Sequence, residues 1–461
     1  MQPQAHPIDA RWLDTVQQQV TMLFRLAVPI VIARVGWMMM QLVDTAMVGR
    51  FDTAELAFQS MAGTVVGILF VPAMGMVLGT LIMSANAYGE GDLAKAGAAW
   101  RRSLPYAFAL GSVLTLFCFF GTEILLAVRI DAAIAEGAGT VTQIYGYGMP
   151  LGIVYIASMY FLEGIKRPIP GVMLMVLANF INVFANWMLI YGNLGFPAMG
   201  AEGSAWATTT VRVILTASIV AYILLMPGHE RYGVRLRPQG GWRAWAEQRR
   251  LGYAAALSFG IEHAAFTALF ILAGWLGALA IASMNIVFAV FGFFFMLAAG
   301  IASATGVQVG DAYGRKDSGD VERAGWTGLG LNIVVQIPAA LLLLFAPGSI
   351  ARIFTDDPVV IAAAAPLYFL GGFALVLDGA QTVLANALRG RHDKWFATGS
   401  HTVSYVGIMV PLAWYLAFPL GRGTTGIFES FILASIVSVG LLVARFAYLS
   451  RDDRRRSITR L

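Results

Sequence analysis

The sequence predicts an all-α integral membrane protein whose twelve transmembrane helices form two pseudo-symmetric six-helix lobes. Three observations predict it. Of 461 residues, 58% are hydrophobic and only 12% charged, with a mean hydropathy of +0.71, whereas soluble chains carry about 25% charged residues. Apolar stretches of the roughly 20 residues needed to cross a bilayer recur along the whole chain. The second half of the chain also repeats the first.

The first six stretches cover about 24–48, 56–84, 103–128, 138–163, 170–192 and 203–226. The second six cover about 251–275, 280–306, 325–347, 361–388, 396–419 and 425–448. Short turns carrying Gly, Pro or charges separate them. The longest connector, 227–250, is polar and basic, and divides an N-lobe (1–226) from a C-lobe (251–461). The N-terminal MQPQAHPIDARWLDTVQQQ is polar and mixed in charge, unlike a secretory signal with its basic start and short apolar core. The one cysteine, Cys118, falls inside an apolar span, which argues against a disulfide or a thiolate metal centre.

Charge placement predicts orientation. With both termini in the cytoplasm, the inner segments hold 25 Lys and Arg, against 4 in the outer loops (Arg50, Arg129, Arg352 and Arg422); Arg34 and Arg212 lie within spans. Basic residues accumulate on the cytoplasmic side, so the chain is read as a multi-pass protein of the bacterial inner membrane. The net charge of +5 is then a topology and anionic-lipid signal, and no nucleic-acid partner is expected.

The repeat is specific. Ala87-Tyr88-Gly89 recurs as Ala312-Tyr313-Gly314, 225 residues on. Around it, GMVLGTLIMSANAYGEGD (75–92) parallels GIASATGVQVGDAYGRKD (300–317), with Asp92 over Asp317. Further on the offset becomes 223, placing Gly200 and Gly203 on Gly423 and Gly426, and Lys166 on Arg389. Six spans return the chain to the same side, so the halves are parallel repeats about an axis along the membrane normal. Transporters that rock between inward- and outward-open states use this layout.

Ionisable residues inside spans are costly and point to function. Asp44 lies in the first span. In the fifth, Asn179, Asn182 and Asn186 recur at intervals of three and four, which stacks them on one helix face. Such amides can be interhelical glue, oxygen ligands for a hard cation, or a hydrogen-bonding cage for Asp44, with Thr208 of the sixth span adding a hydroxyl. Glu262, beside His263, sits at the middle of the seventh span. Asp378, in the tenth, has Gln381 one turn on and Gly371, Gly372 and Gly379 around it. Two carboxylates suit alternate capture of a proton and a cation; the structural alternative is a proton-sharing pair that braces two helices. Arg34 either pairs with a carboxylate or snorkels. Asn179, Met40, His263 and Gln381 are candidate cavity residues, since Met and aromatic faces suit varied flat cations. There is no His/Cys metal set, nucleophile motif or phosphate loop, and a carboxylate pair alone argues only weakly for hydrolysis. An enzyme is not expected.

Taken together, VDTAMVGR (43–50), NVFANWMLIYG (182–192), MGAEGSAWAT (199–208), and Glu262 and Asp378 followed by ALRGRHDKW (387–395) resemble the multidrug and toxic compound extrusion (MATE) family, in its NorM-like bacterial branch. The resemblance covers nearly the whole chain. It implies two six-helix lobes in a V that export small organic cations in exchange for H+ or Na+, with no cofactor. It carries Asp44, Asn182, Asn186 and Thr208 onto an N-lobe coupling site, and Glu262 and Asp378 onto a C-lobe cation site. Na+ could occupy either Asp44, Asn182 and Asn186 or Glu262 and Asp378. One departure is Ala374, where members with a C-lobe sodium site can carry a Tyr one turn before the second carboxylate. A monomer in the lipid bilayer is expected. The alternative on the same architecture is a flippase for a lipid-linked precursor. That would need a basic cavity, and the intramembrane charges here are mainly acidic.

Overall fold

The computed structural model describes residues 7–238 and 240–458, and every regular element among them is helical. The first half runs through α1 (Pro7–Phe51), α2 (Thr53–Val77), α3 (Gly79–Gly89), α4 (Leu93–Phe119), α5 (Gly121–Ala127), α6 (Ala132–Tyr147), α7 (Met149–Gly164), α8 (Ile169–Tyr191) and α9 (Gly200–Leu225). After the short α10 (His229–Tyr232) and a 3-10 turn at Trp242–Trp245, the second half begins with α11 (Ala246–Leu276) and α12 (Ala278–Gly314). It continues with α13 (Ser318–Phe345), α14 (Pro347–Ala351), α15 (Pro358–Gly390), α16 (Phe396–His401), α17 (Val410–Ala417) and α18 (Gly423–Ile458).

Ten helical stretches among the described residues are long and apolar enough to cross a membrane. The fourth and eleventh predicted spans complete the twelve as jointed helices. α6 and α7 meet at Gly148, and a π-helical stretch, Thr402–Met409, joins α16 to α17. Large apolar side chains point outward along the spans, with Phe180 71% and Phe345 82% exposed. Such a surface would drive aggregation in water; in a bilayer it faces lipid.

Aspartates start many of these helices. Asp52, Asp92, Asp131, Asp317 and Asp357 are N-caps whose carboxylates accept backbone N–H bonds from α2, α4, α6, α13 and α15, satisfying donors the helix leaves open. This explains the AYG repeat. After α3 the chain turns through Gly91 in the left-handed region (φ 77°), and after α12 through Lys316 (φ 60°). Asp92 N then donates to Ala87 O and Asp317 N to Ala312 O, both at 3.0 Å. The motif is a helix-stop and helix-start signal used twice. A second pair of left-handed stops, Lys166 (φ 59°) and His392 (φ 67°), follows α7 and α15. These stops set the structural register at an offset of 226 and place Glu163, not Lys166, opposite Arg389.

The chain divides into two compact units, Ile32–Gly260 and Ile261–Leu461 together with Met1–Val31. Each half's first helix thus gives its leading end to the other half's unit. Within the first unit, Gly75 of α2 lets α11 come close: a Cβ there would lie 2.5 Å from Ala256 Cα and 2.6 Å from its N. Within the second, Gly300 of α12 does the same for α1, where a Cβ would lie 2.9 Å from both Cα and N of Val31. Both members of these contacts are 225 residues apart in sequence, so the repeat seen in the sequence is a repeat of packing.

Arg34 pairs with a carboxylate that the sequence did not single out. Its Nη2 is 3.5 Å from Glu163 Oε1, the Glu163 side chain is 1% exposed, and the guanidinium lies 5.5 Å from the Tyr160 ring centre. Removing one member of a buried pair strands the other charge, at about 3 kcal/mol or more. Glu163→Leu is therefore expected to lower the unfolding midpoint in detergent by far more than the Arg34→Met/Glu163→Leu double substitution. Equal losses in the two would contradict this assignment.

Candidate functional site

In the Ile32–Gly260 unit, the predicted N-terminal residues assemble around Asp44, which is 4% exposed. Asn186 Nδ2 donates to Asp44 Oδ1 at 2.6 Å and to Asn182 Oδ1 at 3.1 Å, and Thr208 Oγ1 donates to Asp44 Oδ2 at 2.9 Å. The geometry follows from spacing: Asn182 and Asn186 are one turn apart on α8, and Thr208 faces them from α9. Asn179, a further turn back, does not join this cage. Its Nδ2 donates to Gly36 O at 3.1 Å and Met175 O at 2.9 Å, tying α8 to α1. Met40 is half-buried one turn before Asp44 on α1. The Asn186 Oδ1 atom is buried without a hydrogen-bond partner.

In the other unit, Asp378 is 5% exposed on α15. Gln381 Nε2 donates to Asp378 Oδ1 at 2.7 Å and also to Tyr405 Oη. Tyr405 belongs to the π-helical stretch, a widened turn of a kind often found at functional sites. The His401 ring centre lies 5.4 Å from that of Tyr405. Glu262 lies on α11, in the same unit as Asp378 and Arg389. His263 is half-buried beside Glu262 in the chain. The Gln381 Oε1 atom is buried without a partner, as are both amide atoms of Asn332, which packs against Gly379. Unpartnered polar atoms beside Asp378 leave capacity for a ligand.

Tyr405, Asn332 and Arg389 were not singled out from the sequence. The signal for Tyr405 was present as a tyrosine near His401 and Ser404 in an otherwise apolar span. An α-helical register does not foresee the π turn that brings it to Gln381. Asn332 has Gln336 one turn on in its span, a spacing that marked a polar face. Both units thus place a buried carboxylate inside a span beside neutral amide or hydroxyl donors.

Comparison with known proteins bears on the family and the fold. The MatE family profile matches residues 29–188 and 254–415. A protein of Caulobacter vibrioides named "Probable multidrug resistance protein NorM" is 37% identical over 434 residues, covering 94% of this chain and 92% of that one. Its namesake in Bradyrhizobium diazoefficiens is 30% identical, covering 93% of each. Among solved structures, the eukaryotic MATE transporter AtDTX14 superposes with a TM-score of 0.86 at 17% identity, covering 96% of this chain and 99% of that one. An outward-facing multidrug resistance MATE transporter gives 0.85 at 20% identity, covering 94% and 96%. At such identities the structures attest the fold, and the profile and bacterial relatives attest the family. An all-helical membrane fold, twice-repeated packing and that sequence match over most of its length together place the chain in the MatE family of multidrug efflux transporters.

Proposed function

We propose that the protein is a secondary active antiporter of a bacterial inner membrane, acting as a monomer with both termini in the cytoplasm. It exports small organic cations in exchange for H+ or Na+ and uses no cofactor. Halves 1–226 and 251–461, joined by 227–250, act as the two lobes of an alternating-access cycle. Protons or Na+ taken up by Glu262, Asp378 and Asp44 weaken their hold on a bound organic cation and favour its release. The unloaded carboxylates bind the next cation after the ion has left on the other side. A ligand drives such a cycle only if it binds the two states differently, and charge competition at shared carboxylates provides that difference.

The observation that carries this reading is the set of carboxylates inside spans and held by neutral donors: Asp44 by Asn186 and Thr208, and Asp378 by Gln381. Each can be neutralised by an ion or balanced by an organic cation. The test is transport of ethidium by proteoliposomes under an imposed H+ gradient and then an imposed Na+ gradient. One of the two gradients is expected to drive ethidium movement and so identify the coupling ion. Movement under neither would overturn the antiport reading.

A further inference from the structure

Arg212 has no role in the cycle as described, yet it sits next to the Asp44 cage. It lies one turn along α9 from Thr208, the donor to Asp44 Oδ2. Its guanidinium rests on two aromatic faces, with Cζ 5.5 Å from the Phe70 ring centre and 5.8 Å from that of Tyr145. Nη1 donates to Tyr145 O at 3.4 Å. Gly148 makes room for the stem, since a Cβ there would lie 3.1 Å from Arg212 Cδ. Phe70 and Tyr145 carry no charge near pH 7, and Asp44, hydrogen-bonded to Thr208 one turn back on α9, is the anion of this neighbourhood. Arg212 is the one basic residue of α9, and the side-chain donors to Asp44 are Asn186 and Thr208. Among the described residues no ion pair joins Asp44 and Arg212, and amide and hydroxyl donors bond the two carboxylate oxygens.

We propose that Arg212 is a resident cation that competes with transported cations for Asp44 and so sets the affinity of that site. A half-buried guanidinium held by ring faces and a carbonyl is incompletely balanced, and the field of Asp44 offsets part of the cost. The same field works in reverse. While Arg212 is present, Asp44 is partly balanced and attracts a second cation less strongly. A cation entering the cage has to tolerate the guanidinium or displace it deeper onto Phe70 and Tyr145. The site thereby favours organic cations, whose binding includes apolar contact, over small inorganic ions that bring charge alone.

This inference rests on the reading of Asp44 as a cation site, and the test separates the two. Ethidium binding to the purified full-length protein is measured by fluorescence polarisation. Arg212→Gln is expected to tighten binding by about tenfold, within the range typical of coupled sites. Asp44→Asn is expected to weaken binding, and Asp44→Asn/Arg212→Gln to bind no more tightly than Asp44→Asn. Phe70→Leu, which loosens the guanidinium from its ring and frees it towards Asp44, is expected to weaken binding, and to have no effect in the Arg212→Gln background. If Arg212→Gln does not fold, the sign of the Phe70→Leu effect decides alone: unchanged or tighter binding overturns the inference. Unchanged or weaker binding by folded Arg212→Gln, with Asp44→Asn still weakening it, overturns the role of Arg212 and leaves the Asp44 site standing. Unchanged binding by Asp44→Asn overturns the Asp44 reading and this inference with it.

Discussion

Asp378→Asn and Glu262→Gln are each expected to abolish gradient-driven ethidium transport, lowering the initial rate in proteoliposomes by about a hundredfold. A carboxylate and a monovalent cation 4 Å apart attract each other by about 4 kcal/mol at the effective dielectric of a protein site, more than the roughly 2.7 kcal/mol that corresponds to a hundredfold in affinity. Asn is close to isosteric with Asp and keeps an oxygen for Gln381 Nε2, so the 2.7 Å hydrogen bond seen in the wild type can persist. The loss would therefore be one of charge rather than folding. Because the proposed cycle loads Glu262 and Asp378 together, the double variant is expected to transport no worse than either single one, as groups that act as a unit are non-additive. Rates within twofold of wild type for either single variant would show that the carboxylate is structural.

The second large effect concerns the fold. Gly75→Leu is expected to destabilise the protein by about 3 kcal/mol, the upper end for overpacking, because the obstruction is backbone and cannot rotate away. The Ala256 Cα and N lie 2.5 and 2.6 Å from the position of the new Cβ. Gly300→Leu should behave alike, since it meets the Val31 backbone in the same register of the repeat. Gly330, with nothing within 4 Å of a Cβ, is the control, and Gly330→Leu should leave the thermal unfolding midpoint in detergent close to wild type. Equal tolerance of Leu at all three positions would mean that close helix approach at Gly75 and Gly300 is not what holds α11 and α1 in place.

Much of this architecture was legible in the sequence, for identifiable reasons. Hydropathy marks any helix that must face lipid, so all twelve spans were found, including the two that are jointed. The AYG repeat was visible because both copies need the same turn and the same capping aspartate. Its register at Lys166 was misread, since Lys166 and Arg389 align by charge while the left-handed stops align Lys166 with His392; the offset of 223 does hold at Gly200 and Gly423, both left-handed at the starts of α9 and α18. Asp44, Asn182, Asn186 and Thr208 converge because helical spacing put the amides on one face and the carboxylate could not remain alone in lipid. Asn179 shares that spacing but is used on backbone carbonyls, a difference that depends on how closely α1 passes. Arg34 was conspicuous while Glu163 was not, as a carboxylate at a span end looks interfacial until its burial is known. Tyr405 depends on a π turn, which hydrophobic periodicity does not encode.

The most direct test of the central claim, that organic cation and coupling ion compete for the same carboxylates, is ethidium affinity of the purified protein across pH, with and without Na+. The account predicts that affinity falls as the concentration of the coupling ion rises, and that Glu262→Gln/Asp378→Asn loses most of this dependence. An affinity in the wild-type protein that is independent of both pH and Na+ would contradict it.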